Sequence, residues 1–106
     1  MATSFNVSDP LLSTSILKPN RFAVSRTVSG QALVLDTTRD EIRQLNEVGT
    51  LIWSMITESK YTKKDILNEI VAQFEIDSRE ALADLDEFLN ELKSVKLLVI
   101  DPVEQP

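Results

Sequence analysis

In the stretch LNEVGTLIWSMI, residues 45 to 56, the spacing of apolar side chains changes from two to 3.6. Asn46 is a suitable N-cap, and Val48, Leu51, Ile52, Met55 and Ile56 fall on one face of the helix it opens, the face of a core. Gly49 stands four positions ahead of Trp53, the only tryptophan. Glycine inside a helix costs about 0.5 to 1 kcal/mol relative to alanine, so its place there needs a reason. Helical side chains lean toward the N-terminus, which puts the indole over the turn that holds residue 49. The expectation is that Gly49 makes room for Trp53, or for a strand crossing behind it.

Upstream of this helix the period is two. RFAVSRTVSG (21–30) and QALVLD (31–36) alternate apolar and polar residues around Gly30, the pattern of a hairpin with one buried face. Val24, Val28, Leu33 and Leu35 form its expected inward set. After a turn at DTTRD, EIRQL (41–45) reads as a third strand, polar enough to belong at a sheet edge. Downstream, Thr62 and Asp65 resemble a capping box for a second helix with Ile66, Leu67, Ile70, Val71 and Phe74 inward. A third helix starts at Asp77 or Ser78 and runs to about Val95, with Ala81, Leu82, Leu85, Phe88, Leu89, Leu92 and Val95 inward. That apolar arc spans about 140°, wider than the roughly 100° stripe of a helix with a single contact, so something extra is expected to cover it. LLVID (97–101) adds a possible short strand.

These elements imply a single α+β domain over residues 21–100, with a flexible Ser, Thr and Pro-rich segment at 1–20, in which Leu11, Leu12, Ile16 and Leu17 are candidates for local docking, and a tail at 101–106. The chain has 106 residues, 42% hydrophobic and 26% charged, which excludes a fibrous or wholly disordered class. No apolar run approaches the roughly 18 to 20 residues of a membrane span, and the start lacks the pattern of a signal peptide, so a cytoplasmic protein that enters no membrane is expected. With no cysteine and no histidine the chain lacks a thiolate nucleophile, the commonest general base and the commonest metal ligands. Its carboxylates are scattered at spacings that suit solvated helix faces rather than a convergent catalytic pair. The expectation is a protein without catalytic activity, metal or organic cofactor. The net charge is −6, and residues 77–106 carry eight acidic residues against three basic ones.

Taken in order, the strand pair ending in LVLD, the short third strand, LNEVGTLIW, YTKKDILNEI and DLDEFLNELKSVKLL resemble the PqqD family over about residues 21–100. The most specific pieces are Leu45-Asn46 followed by Gly49 and Trp53, and Phe88-Leu89 followed by Leu92 and Leu97-Leu98. Members devoted to pyrroloquinoline quinone synthesis usually differ at the Trp53 position and carry an Asp-Gly turn after the first helix, where this chain reads ITESKYT. The likeness is therefore to the broader set of precursor-peptide recognition elements that serve lasso peptides, radical-derived peptides and other ribosomally made products.

The resemblance implies a winged helix-turn-helix-like fold, a three-stranded antiparallel sheet followed by three helices. It also implies a non-catalytic, chaperone-like protein that binds the leader segment of a precursor peptide as a fourth strand beside the third, against the third helix. The implied partners are the leader peptide and a modifying enzyme such as a radical enzyme, protease or cyclase. Two features read independently agree: the polar third strand offers an open edge, and the third helix has apolar surface to spare. The candidate peptide-binding residues are Glu41, Ile42, Arg43 and Gln44 on the strand and Leu82, Leu85, Asp86 and Leu89 on the helix, where such leucines are more often core than groove and an Asp such as Asp86 is usually a solvated side chain. Ile42 is the most informative, because so polar a strand has little reason to keep it unless core or ligand covers it.

Two alternatives share this topology. Winged-helix DNA binding needs clustered Lys and Arg, whereas the third helix holds Glu80, Asp84, Asp86, Glu87 and Glu91, and the small cluster Lys60, Lys63 and Lys64 reads as a solvated helix start. No nucleic-acid partner is expected. In a plain dimerisation module a second copy would cover the edge strand or helix face, and the expected state is a monomer or weak homodimer.

Overall fold

The structure, a computed structural model, describes residues 15–102. Five strands and three helices follow in the order β1 (Ser15–Pro19), β2 (Ala23–Val28), β3 (Gln31–Asp36), β4 (Glu41–Gln44), α1 (Glu47–Thr57), α2 (Lys63–Phe74), α3 (Ser78–Ser94) and β5 (Leu98–Pro102). Strands β2, β3 and β4 form an antiparallel sheet in that order, and β1 pairs antiparallel with β5 in a separate ribbon. The expected three-stranded sheet followed by three helices is present, with the ribbon added.

Chain ends that looked like appendages contribute to the ribbon. Residues 15–19 were expected to be flexible, yet Leu17 is fully buried and its backbone N–H donates to the Tyr61 carbonyl at 3.0 Å. Asp101 lies in β5 and pairs with Lys18 at 2.7 Å. Residues 1–14 and 103–106, Leu11 and Leu12 among them, lie outside the described residues.

Local chemistry starts each helix, as anticipated at Asn46 and at Thr62 with Asp65. The Asn46 side chain accepts from Gly49 N–H, Thr62 and Asp65 complete a reciprocal capping box, and Asp77 accepts from Arg79 N–H. Each satisfies backbone donors that the first helical turn cannot. Leu17, Val34, Ile52, Trp53, Ile56, Ile66, Ile70, Leu85, Leu92 and Leu97 then form one core between the helices, the sheet and the ribbon.

The hairpin turns at Ser29 and Gly30, both at positive φ (54° and 80°), as a two-residue turn with strand-matching twist requires. Its inward face is the opposite of the one expected. Ala32, Val34 and Asp36 are buried, whereas Val24 and Val28 are 54% and 49% exposed on the outer face, with Leu33 and Leu35 beside them only half-buried. Because alternation has period two, a reading displaced by one residue exchanges the faces completely. The physical reason is closeness: the Thr50 hydroxyl of α1 accepts a 2.9 Å hydrogen bond from Ala32 N–H, and a small side chain fits where helix and strand come this near.

Candidate functional site: the open edge of the sheet and its facing helix

Strand β4 is one of the two edges of the three-stranded sheet among the described residues, the other being β2. Its register pairs Gln44 with Leu33, Arg43 with Val34, Ile42 with Leu35 and Glu41 with Asp36. Leu45 N–H donates to the Ala32 carbonyl at 2.9 Å, one step beyond Gln44 and Leu33. Since bonded and non-bonded pairs alternate in an antiparallel ladder, Arg43 and Glu41 turn their N–H and C=O toward β3, and Ile42 and Gln44 turn theirs outward. The other side of β3 agrees: Thr37 N–H donates to Phe22 C=O at 3.1 Å, so odd-numbered positions there face β2.

Side chains alternate at right angles to this pattern. Ile42 stands on the outer face and is 68% exposed, so the core does not cover it. Arg43 points to the helical side, where its guanidinium donates to Glu91 of α3 at 2.6 Å. Between β4, the start of α1 and α3 lie two adjoining cavities. One, of about 420 Å³, is lined by Ile42, Arg43, Gln44, Leu45, Asn46, Gly49, Phe88 and Glu91. The other, of about 270 Å³, shares Asn46, Gly49, Phe88 and Glu91 and adds Val48, Ile52, Asp84 and Glu87. Together they make a mostly polar groove with Leu45, Gly49, Ile52 and Phe88 on its floor, the edge of β4 along one side and carboxylates of α3 along the other.

Gly49 belongs to that floor. A Cβ there would lie 3.2 Å from the Asn46 side-chain oxygen, 3.4 Å from Leu45 Cβ and 3.5 Å from the Phe88 ring. The atoms it spares are those of the cap, the strand end and α3, and the Trp53 indole is not among the three nearest. Trp53 itself is 2% exposed, as expected for core, and its indole N–H has no hydrogen-bond partner among the described residues.

Of the eight residues anticipated from sequence, the four on β4 are at the edge, while those on α3 sit elsewhere. Leu85 and Leu89 are core, at 0% and 4% exposed, and Leu82 is half-buried. Asp86 lies on another flank, where it pairs at 2.5 Å with Lys63, a residue expected in solvent but 5% exposed. The helix presents Asp84, Glu87, Phe88 and Glu91 to the groove instead, together with Asn46, Val48 and Gly49 of α1. Positions 84, 87, 88 and 91 follow the i, i+3, i+4, i+7 spacing of a single helix face, a signal available in the sequence but masked by the stronger leucine stripe.

Chemically, the edge can accept an extended strand, and the groove can hold its alternate side chains. No group of three or more potential metal ligands occurs among the described residues, and no described helix is long and apolar enough to cross a membrane.

A family model for coenzyme PQQ synthesis protein D (PqqD) matches residues 31–98. The fold is similar to that of TbiB1, solved in complex with the TbiA(β) leader peptide, with a TM-score of 0.71 and 27% identity over 76% of this chain and 93% of that one. It is also similar to a lasso peptide synthetase B1 complexed with the leader peptide, with a TM-score of 0.70 and 17% identity over 78% and 96%. No curated protein sequence matches the chain.

Proposed function

Because the chain belongs to the PqqD family, we propose that it binds the leader segment of a ribosomally made precursor peptide as a fourth strand at the open edge of β4 and presents it to a modifying enzyme. The observation that carries this reading is the outward direction of the Ile42 and Gln44 backbone groups beside a groove walled by α3. Main-chain hydrogen bonds to these groups supply affinity, and alternate leader side chains reach the groove and supply specificity. The similar structures support it, since both are leader-peptide complexes.

The role is non-catalytic. A chain without histidine or cysteine contributes by holding the substrate, and a bound leader raises the local concentration of precursor for a radical enzyme, protease or cyclase within reach. Titration of the full chain with the co-encoded precursor peptide, and with the same peptide lacking its leader, tests this. One-to-one binding of the first and none of the second is expected, and equal binding of both would overturn it.

Exposure of Val24, Val28 and Ile42 favours a second reading, weak self-association through the outer face of the sheet. Sedimentation at several concentrations, with and without leader, separates the two. Association unaffected by leader belongs to the outer face, and association abolished by leader belongs to the edge.

A further inference from the structure

The groove's charges are divided unequally along its length. Arg43 is the one basic side chain among the residues lining the two cavities, and it is held on Glu91 at 2.6 Å. Glu87 and Asp84 lie about 6 and 10.5 Å back along the axis of α3, at about 1.5 Å per residue, and line only the cavity away from β4. Neither has a described cationic partner. The end of the groove beside β4 is thus electrically balanced and already contains a guanidinium, and the far end carries two carboxylates without a counter-charge.

A strand added beside β4 places one residue directly across from Arg43, with its side chain on the same face. Such neighbours have Cβ atoms about 4.5 to 5.5 Å apart, and like charges in this relation are destabilising. The next leader side chains on that face come about 6.6 to 6.8 Å to either side, a spacing comparable to the step from Glu91 to Glu87. For a leader strand running along the groove from Glu91 toward Glu87, a basic side chain is therefore repelled at one position and attracted at another.

Resting on the peptide-binding reading above, we propose that Arg43, anchored by Glu91, is a specificity-determining residue: it excludes a basic leader side chain from the β4 end of the groove and restricts it to the end held by Asp84 and Glu87. The leader is accordingly a peptide with apolar side chains at alternate positions and a Lys or Arg in one register only. Arg43 reads the position of that charge rather than its presence.

The test uses synthetic ten-residue peptides of one composition, with alternating apolar and Ser or Thr residues and a single lysine moved one position at a time. Each is titrated into the full chain, Arg43→Lys, Arg43→Met and the double variant Asp84→Asn with Glu87→Gln. The readout is the ratio of Kd between the worst and best lysine positions, which cancels any uniform loss of affinity from a perturbed fold. A ratio of about ten is expected for the parent, the sum of one repulsive and one attractive surface charge contact. Arg43→Lys should keep it, Arg43→Met should reduce it below about three by freeing Glu91 to accept lysine at the β4 end, and the double variant should remove the gain at the best position. If the parent binds the series without regard to lysine position, or if Arg43→Met leaves the ratio intact, the assignment of Arg43 fails while the groove reading stands. If no peptide of the series binds, both fall.

Discussion

Helix α3 presents two kinds of surface, both cut from the same repeating pattern. Along one, Ala81, Leu85, Leu89 and Leu92 are buried to within a few per cent of complete enclosure. Along the other, Asp84, Glu87 and Glu91 are exposed around a half-buried Phe88. The first surface is closed by the rest of the chain, and the second faces the two cavities, the start of α1 and Arg43 of β4. Stability resides in the closed surface, and the proposed peptide-binding role falls to the open one, which lies beside the edge strand β4.

The largest test of this division is truncation on the closed side. Leu85→Ala or Trp53→Ala should cost about 3 to 5 kcal/mol, as large-to-small core changes do, and chemical denaturation would register it. Trp53→Phe should cost less, because it also removes a buried indole N–H that lacks a partner. Whatever fraction of either alanine variant remains folded should bind leader as the parent does. Loss of binding from a variant of parental stability would move Trp53 from core to site.

Phe88→Ala probes the open side. Half-burial limits the loss of stability to about 1 to 2 kcal/mol, below that of a fully buried aromatic. Leader affinity, measured by calorimetry on folded protein, should fall about tenfold as the groove wall is removed. A stability loss as large as that of Leu85→Ala, with affinity retained, would merge the two surfaces.

Smaller effects belong to Thr62 and Asp36, whose side chains line neither surface. Thr62→Ala breaks the capping box of α2 and should cost about 1 kcal/mol in thermal unfolding, with leader affinity unchanged. At Asp36, the Thr38 hydroxyl donates to the carboxylate at 2.6 Å and holds its pKa below the ordinary value, with the Thr38 N–H and Arg39 assisting against the opposing effect of burial. A lowered folded-state pKa means the contribution is fully present above the unfolded value, about 3.9, and is lost as pH falls through the folded one. Asp36→Asn should therefore flatten the acid limb of the stability curve below about pH 4 and leave binding at neutral pH unaltered.

The comparison also explains what could be read from the chain alone. Helix boundaries were legible because Asn46, Thr62 and Asp77 announce their caps chemically, and β4 was legible as an edge because Glu41, Arg43 and Gln44 are too polar for a central strand. The hairpin's face was not, since Val24 and Leu35 look more like core than Ala32, and only the approach of Thr50 makes the small residue the inward one. The helical residues expected beside β4 were read from the same kind of signal. Hydrophobicity points to Leu85 and Leu89, which the core has already claimed, whereas a groove is lined by residues flanking the core stripe. Gly49 was recognised as spatially constrained, but the space it spares belongs to Phe88 and the end of β4 rather than to Trp53.

The central claim is that a leader pairs with the outward backbone groups of β4, and proline tests it residue by residue. Proline removes one N–H and is tolerated where that N–H faces away from the sheet. Leader affinity and thermal stability should be measured for Glu41→Pro, Ile42→Pro, Arg43→Pro and Gln44→Pro. The account predicts alternation: Ile42→Pro and Gln44→Pro keep the fold and bind at least about tenfold more weakly, and Glu41→Pro and Arg43→Pro lose stability through a broken ladder to β3. Folded Ile42→Pro and Gln44→Pro variants that bind the leader as tightly as the parent would contradict strand addition at this edge.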